Sequence, residues 1–217
     1  MRPRFRWVVL AASLLLAAPG ARAQGRPLLS VMNPAADSLG VTGPLVRATG
    51  VLGDRNVREL LDHGFPAKLR FRTELWSTAG WFDNMIRFVE WDLAVIYLPL
   101  SRQYQVVRII ADTATSLGLF DQFSDAVAEV ERPFRPTIRA SANRSTQYYN
   151  VILTLEMVSV GDLDELQRWV NGDLRPAVRG QRNPGTALSR GARTLLSRLL
   201  GGERRTLESR SRTFRVR

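Results

Sequence analysis

The chain has no cysteine, one histidine (His63) and one lysine (Lys68). Without thiols there is no disulfide staple, no cysteine nucleophile and no iron–sulfur or cysteine–zinc site, so stability must come from apolar burial. One imidazole with no thiol leaves no transition-metal ligand set, and no metal or cofactor is expected. No Gly-x-Ser-x-Gly, His-Glu-x-x-His or phosphate-loop motif occurs, and no repeat of roughly 20–50 residues is found. Long apolar runs are also scarce. Asp92 to Leu100 is followed at once by Ser101 and Arg102, and no stretch reaches the about 20 apolar residues that span a bilayer.

What is present starts with an export signal. Arg2, Arg4 and Arg6 precede an uncharged, mostly apolar run from Trp7 to Ala18, broken by Pro19 and Gly20. Ala21-Arg22-Ala23 then has the small-x-small form of a cleavage site, which predicts a signal peptide over residues 1–23 and a mature start at Gln24. Intact-mass analysis of the exported protein checks this, and Met1 retained in the membrane fraction would overturn it. An uncleaved anchor is the alternative, and the short apolar run argues against it. No cysteine stands by the cleavage site to carry a lipid.

The formal net charge of +11 is unevenly spread. The signal carries four arginines and no acid; residues 24–178 hold 16 basic and 18 acidic groups; residues 179–217 hold 11 arginines against Glu203 and Glu208. The body is therefore nearly neutral and the tail strongly basic. Every basic residue except Lys68 is arginine, which GC-rich coding explains without a phosphate-binding role.

Composition and periodicity divide the mature chain into a leader at 24–44, a domain at 45–175, and a basic C-terminal helix with a closing strand at 176–217. Gly25 to Pro44 is rich in Gly, Pro, Ala and Ser and reads as a linker. Leu45 to Leu52 predicts a strand. Asn56-Val57-Arg58-Glu59 has capping-box spacing for a short helix stopped by Gly64 and Pro66. Ala67 to Ser77 alternates apolar with charged residues, which marks a strand with one wet face. Trp81 to Leu98 reads as a long strand whose alternation slips at Glu90-Trp91-Asp92, suggesting a bulge. Gln103 to Ile110 returns as a strand, and a helix follows Asp121 and ends before Pro133.

Thr137 to Ala142 and Tyr148 to Val160 predict a further hairpin. Helices are predicted from Asp162 to Gly172 and from Thr186 to Leu200, and Arg212 to Val216 reads as the closing strand. Runs of paired strands with helices between them give an α+β fold: an antiparallel sheet of about six strands with helices packed on one face.

The stretch Tyr97-Leu98-Pro99-Leu100-Ser101-Arg102-Gln103-Tyr104-Gln105-Val106 resembles the signature of an exported bacterial family known only as domain of unknown function 4390. Glu59-Leu60-Leu61 through Gly64-Phe65-Pro66, the segment Trp76 to Phe82, and Tyr148-Tyr149 to Leu155 extend the resemblance over about residues 45–160. It implies an exported protein of unknown activity, with a link to envelope signalling through a neighbouring sensor kinase. It supplies no catalytic residue, and the region beyond Arg175 departs from its pattern.

Within that stretch, Tyr97, Ser101, Arg102 and Tyr104 are the candidate binding residues. A guanidinium flanked by rings suits an anion or carboxylate. The structural alternative is a hairpin clamp in which Arg102 bonds loop carbonyls; its truncation would then cost about 1–3 kcal/mol. His63 at a helix end is expected to cap free carbonyls. Glu90 and Asp92, sharing a strand face, are the carboxylates a hydrolase would use. Asp162, Asp164 and Glu165 fit an acidic helix start, and neither group has the spacing of a calcium loop. Trp76, Trp81, Phe82 and Trp91 gather near one turn as core, rim or ligand platform. Arg190, Arg193 and Arg198 lie opposite a leucine stripe, fitting either an anionic membrane surface or a helix docked on the sheet.

These features favour a non-enzymatic binding or accessory module of the cell envelope, periplasmic or otherwise extracytoplasmic. The expected partner is an envelope protein or an anionic lipid surface. Nucleic acid is excluded by export, and no small-molecule cofactor is indicated. The alternative is an extracytoplasmic hydrolase using the paired carboxylates Glu90 and Asp92.

Overall fold

The computed structural model describes residues 26–79, 82–111, 113–142, 145–157 and 205–216. Its elements in chain order are β1 (Leu28–Met32), β2 (Leu45–Thr49), α1 (Arg55–Asp62), β3 (Ala67–Ala79), β4 (Phe82–Leu98), β5 (Gln103–Ile110), β6 (Thr113–Phe120), α2 (Phe123–Val130), β7 (Thr146–Met157) and β8 (Arg205–Arg210). Six strands form one antiparallel sheet in the order β6-β5-β4-β3-β7-β8, and β1 pairs with β2 in a separate hairpin.

The alternation of β3 places Leu69 and Phe71 on the face that gathers the core. Val57 and Leu61 of α1, Ala126 and Val130 of α2, and Val46 and Ala48 of β2 pack into the same cluster with Trp91, Leu93, Val95, Val106 and Leu153. Both helices and the small hairpin therefore cover one face of the sheet. Phe71 and Trp91 are cross-strand partners, and their rings stack at 3.9 Å. The reverse face holds a smaller apolar cluster, Ala94, Ile96, Val107 and Ile109, at the end where β4 meets β5.

That second cluster corrects the reading of Glu90-Trp91-Asp92 as a bulge. Alternation slips there because, beyond Trp91, β4 is buried on both faces. The register shift lies instead between Leu75 and Trp76, which face Arg87 and Met85 and leave Ile86 as the extra residue on β4. The helix start is also corrected. Asp54 is the N-cap, its carboxylate accepting from the Asn56 amide at 2.7 Å. The C-terminal end of α1 follows expectation: Gly64, at φ 85°, donates to the Leu61 carbonyl and the Phe65 amide to that of Leu60.

Two boundaries move. Residues 24–44 are not simply a leader, because Leu28–Met32 is a strand and Leu29 and Leu39 are buried. The Gly- and Pro-rich flanks hid five residues whose pairing to β2 satisfies their backbone groups. The closing strand comes earlier than the Arg212 to Val216 expected: β8 (Arg205–Arg210) is an outer strand of the sheet, paired with β7. Phe214 makes only an isolated bridge to Gln147.

Thr137 to Ala142 is not a strand, since Pro133 and Pro136 hold it in irregular extended backbone that still buries Ile138. The sixth strand of the sheet is β6, which the pattern missed because Gly118 and small polar residues dilute its alternation. Gly118, at φ 152°, sits at the β5–β6 register shift, where an added Cβ would meet the Phe120 ring at 2.8 Å. The helical segments expected at Asp162 to Gly172 and Thr186 to Leu200, with Arg190, Arg193 and Arg198, lie outside the described residues. No helix among the described residues is long and apolar enough to cross a membrane.

Candidate functional site

The structure separates the tyrosines of the turn from its polar tip. Tyr97 and Tyr104 are cross-strand partners on the core face, with ring centroids 5.0 Å apart. Tyr104 also packs on Phe123 at 5.4 Å, and its hydroxyl donates to Asp62 Oδ1 at 2.5 Å. Burial, helped by that carboxylate, pushes the Tyr104 phenol up to about 12, so it stays a donor at any physiological pH. Tyr104 thus ties β5 to α1 and α2.

Ser101 and Arg102 stand away from it in solvent. Arg102 has φ 56° and makes no side-chain hydrogen bond to another described residue, so the clamp expectation is not met. We therefore expect Arg102→Ala to change stability by less than about 0.5 kcal/mol. Arg102→Gly should instead stabilise by roughly 0.5 kcal/mol, because relief of left-handed strain slightly exceeds glycine's added chain entropy. Urea titration checks both, and a loss above about 1 kcal/mol in the alanine variant would restore the clamp.

His63 closes α1 as expected. Its Nδ1 donates to the Glu59 carbonyl at 2.6 Å, while its backbone amide reaches the same oxygen at 3.1 Å. A ring committed to the helix end is not presented as a base.

The carboxylates of β4 do share a face, but each is opposed by a cation. Asp92 lies opposite Arg70 in the ladder, with Lys68 Nζ at 3.0 Å and Arg70 Nε at 3.5 Å. Glu90 lies opposite Arg72, whose Nη1 is at 3.1 Å. A shallow depression among the described residues lies elsewhere, between Ala36–Val41 and Phe214–Val216, and holds neither acid. No group of three or more His, Cys, Asp or Glu side chains among the described residues is placed to hold a metal ion.

The predicted aromatic cluster is split between the faces. Trp91 is in the core, against Phe71 and Phe134. Trp76 lies on the reverse face beside its ladder partner Tyr148, and Phe82 is 79% exposed. Trp81 lies outside the described residues.

Around Trp76 the reverse face carries a network that sequence reasoning missed. Glu74, 6% exposed, accepts from Arg72 Nε at 2.7 Å, Trp76 Nε1 at 2.8 Å and Asn150 Nδ2 at 3.3 Å. Burial alone would raise the Glu74 carboxyl; the three donors outweigh it and hold it below the usual 4.5. Asn150 also donates to Glu208 at 2.9 Å, and Tyr148 donates to Asp83 at 2.8 Å. The Arg210 guanidinium covers the Tyr148 ring at 3.3 Å, and that of Arg72 lies on Phe88 at 3.9 Å. The available signal was alternation itself: on β3, Arg72, Glu74 and Trp76 follow one another at every second position.

This network supports the outer half of the β3–β4 hairpin. β5 pairs with β4 only from Trp91 to Leu98, so Phe82–Glu90 has no strand beyond it among the described residues. No family model, no curated protein and no solved structure matches the chain.

Proposed function

We propose that the chain is an exported, non-enzymatic binding module of the cell envelope, acting through the free edge of the β3–β4 hairpin. The observation that carries the reading is the nine-residue run Phe82–Glu90, flanked among the described residues by β3 alone and bearing exposed Phe82, Met85 and Phe88. Unpaired backbone donors and acceptors beside exposed apolar side chains are the groups that take up an extended strand from a partner. The ion network behind them fixes the hairpin's shape without occupying that edge. The signal-like first 23 residues support the compartment. Against the hydrolase reading stand the cross-strand cations on Glu90 and Asp92, which leave neither as a free acid–base pair.

Crosslinking of intact envelopes, followed by capture of the protein, tests the reading. Phe82→Ser with Phe88→Ser should reduce a specific envelope-protein crosslink at least tenfold, while loss of the Arg72–Phe88 contact lowers the melting midpoint by only a few degrees. Unchanged crosslinking would overturn the edge as the binding element. Binding to anionic vesicles that survives these substitutions and weakens with salt would assign the partner to lipid instead.

A further inference from the structure

We infer that the occupant of the β4 edge is a second copy of this chain, paired antiparallel through a two-fold axis near Met85. The inference rests on the edge reading above and names its partner. Three stretches of sheet edge, on β8, on β6 and at Phe82–Glu90, have no further strand among the described residues, and they are not alike. The β8 edge carries Arg205, Glu208 and Arg210, and the β6 edge is interrupted by Gly118 at a register shift. Charge and irregularity are the devices that keep edges from pairing. Phe82–Glu90 carries Asp83, Arg87 and Glu90 and a bulge at Ile86, but it has no lysine and no proline, and Asn84-Met85-Ile86 separates Asp83 from Arg87 without a charge. Met85 is 43% exposed, Phe88 46% and Phe82 79%.

The segment is complementary to itself in one register. Set Met85 opposite its own copy and count Ile86–Arg87, the bulged pair, as one position. Asn84 then meets that bulge, Asp83 meets Phe88, and Phe82 meets Val89. Asp83, Met85 and Phe88 all lie on the reverse face, since they pair with Thr78, Trp76 and Glu74 on β3. Each pairing therefore joins side chains of the same face, as antiparallel register requires. The charges agree too: Asp83 of one copy approaches Phe88 of the other, whose ring carries the Arg72 guanidinium. Exposed apolar groups are covered, acid meets cation, and the backbone ladder continues from one sheet into the next as an isologous contact.

Size sets the strength. Nine residues at about 3.3 Å each give an edge roughly 30 Å long, so the contact buries well under about 1,200 Å² in all. That is the range of transient association, and the dimer should form and dissociate with concentration.

A residue on a two-fold axis faces itself, and this supplies the test. Sedimentation velocity of the purified protein should show reversible monomer–dimer exchange from about 10 μM to 1 mM, the affinity range of small interfaces. Met85→Lys alone and Met85→Glu alone should each weaken dimerisation at least tenfold, because like charges meet at the axis. An equimolar mixture of the two variants should restore it. Concentration-dependent slowing of amide exchange over residues 82–90 in the unmodified protein reads the same contact should either variant fail to fold.

A wild-type protein that stays monomeric over the whole range would overturn the self-pairing, as would single variants that dimerise like wild type or a mixture that fails to rescue. If self-pairing fails while Phe82→Ser with Phe88→Ser still loses its envelope crosslink, the edge keeps its role and its occupant is another protein. If both fail, the edge reading falls with it.

Discussion

Removal of residues 205–217 is expected to leave a chain without a cooperative native state. β8 contributes six ladder positions to β7, from Asn150↔Arg210 to Leu155↔Arg205, and without them β7 becomes a bare edge. The loss extends beyond the ladder. Leu207 packs against the main core, and Phe214 lies on Tyr149, a fully buried ring, at 5.2 Å. Ser211 Oγ accepts from the Tyr149 amide at 3.0 Å, and the Phe214 amide and carbonyl bridge Gln147 at 2.8 Å. Arg205 reaches Asp54 at 2.6 Å, the residue that caps α1, so the last strand also steadies the first helix.

Losing an edge strand, a core aromatic contact and several buried hydrogen bonds together should exceed about 5 kcal/mol, comparable to the whole stability of many domains. Far-ultraviolet circular dichroism in urea reads this directly. A truncated protein that still melts cooperatively within a few degrees of the full chain would contradict it. The same logic bears on membrane-surface tests: a deletion of residues 186–217 removes β8 with Arg190, Arg193 and Arg198, so lost lipid binding in such a variant would report unfolding. Substitution of those three arginines is the discriminating change.

The legible parts of this fold were those where one physical rule acts alone. Ala67 to Ser77 puts Leu69, Phe71 and Leu75 on the core side and charged residues on the other, so period-two alternation appeared intact. The stop of α1 was legible because Gly64 and Pro66 act locally. Legibility failed where two demands met in one segment. β4 changes from an exposed edge to a strand buried on both faces at Trp91, and a single pattern cannot describe both halves. β1 was hidden by its Gly- and Pro-rich flanks, and β6 by Gly118 and the small polar residues that dilute its alternation. At the candidate site, residue types were visible but pairing was not. Nothing in the spacing of Glu90 and Asp92 shows that Arg72 and Arg70 stand across the ladder from them. Glu74 looked like one more exposed charge on the wet side of β3. It is buried because its own β3 neighbours Arg72 and Trp76 and, across the ladder on β7, Asn150 all close on one carboxylate.

Glu74 therefore gives the second large expected effect. Glu74→Ala removes the acceptor for Arg72 Nε, Trp76 Nε1 and Asn150 Nδ2. Arg72 keeps Glu90 and the Phe88 ring, and Asn150 keeps Glu208, so those two are only partly stranded. The Trp76 indole N–H loses its partner outright. The expected cost is about 2–4 kcal/mol, the range for breaking a buried, charge-assisted group. Glu74→Gln separates charge from shape. Its amide oxygen still accepts, but its NH₂ meets donors, and it no longer titrates.

The sign of the pH effect follows from the depressed carboxyl. Below the ordinary value of 4.5 the unfolded chain takes up a proton that folded Glu74 resists. Its stabilisation is thus complete above about pH 5 and is lost as pH falls through the lowered folded value. The difference between wild type and Glu74→Gln in urea titrations should be largest at pH 7 and should shrink by at least half at pH 3. Asp54, also held below its usual value, titrates in both proteins and cancels from that difference. A gap of equal size at pH 7 and pH 3 would mean that packing around residue 74, rather than its charge, holds the reverse face together.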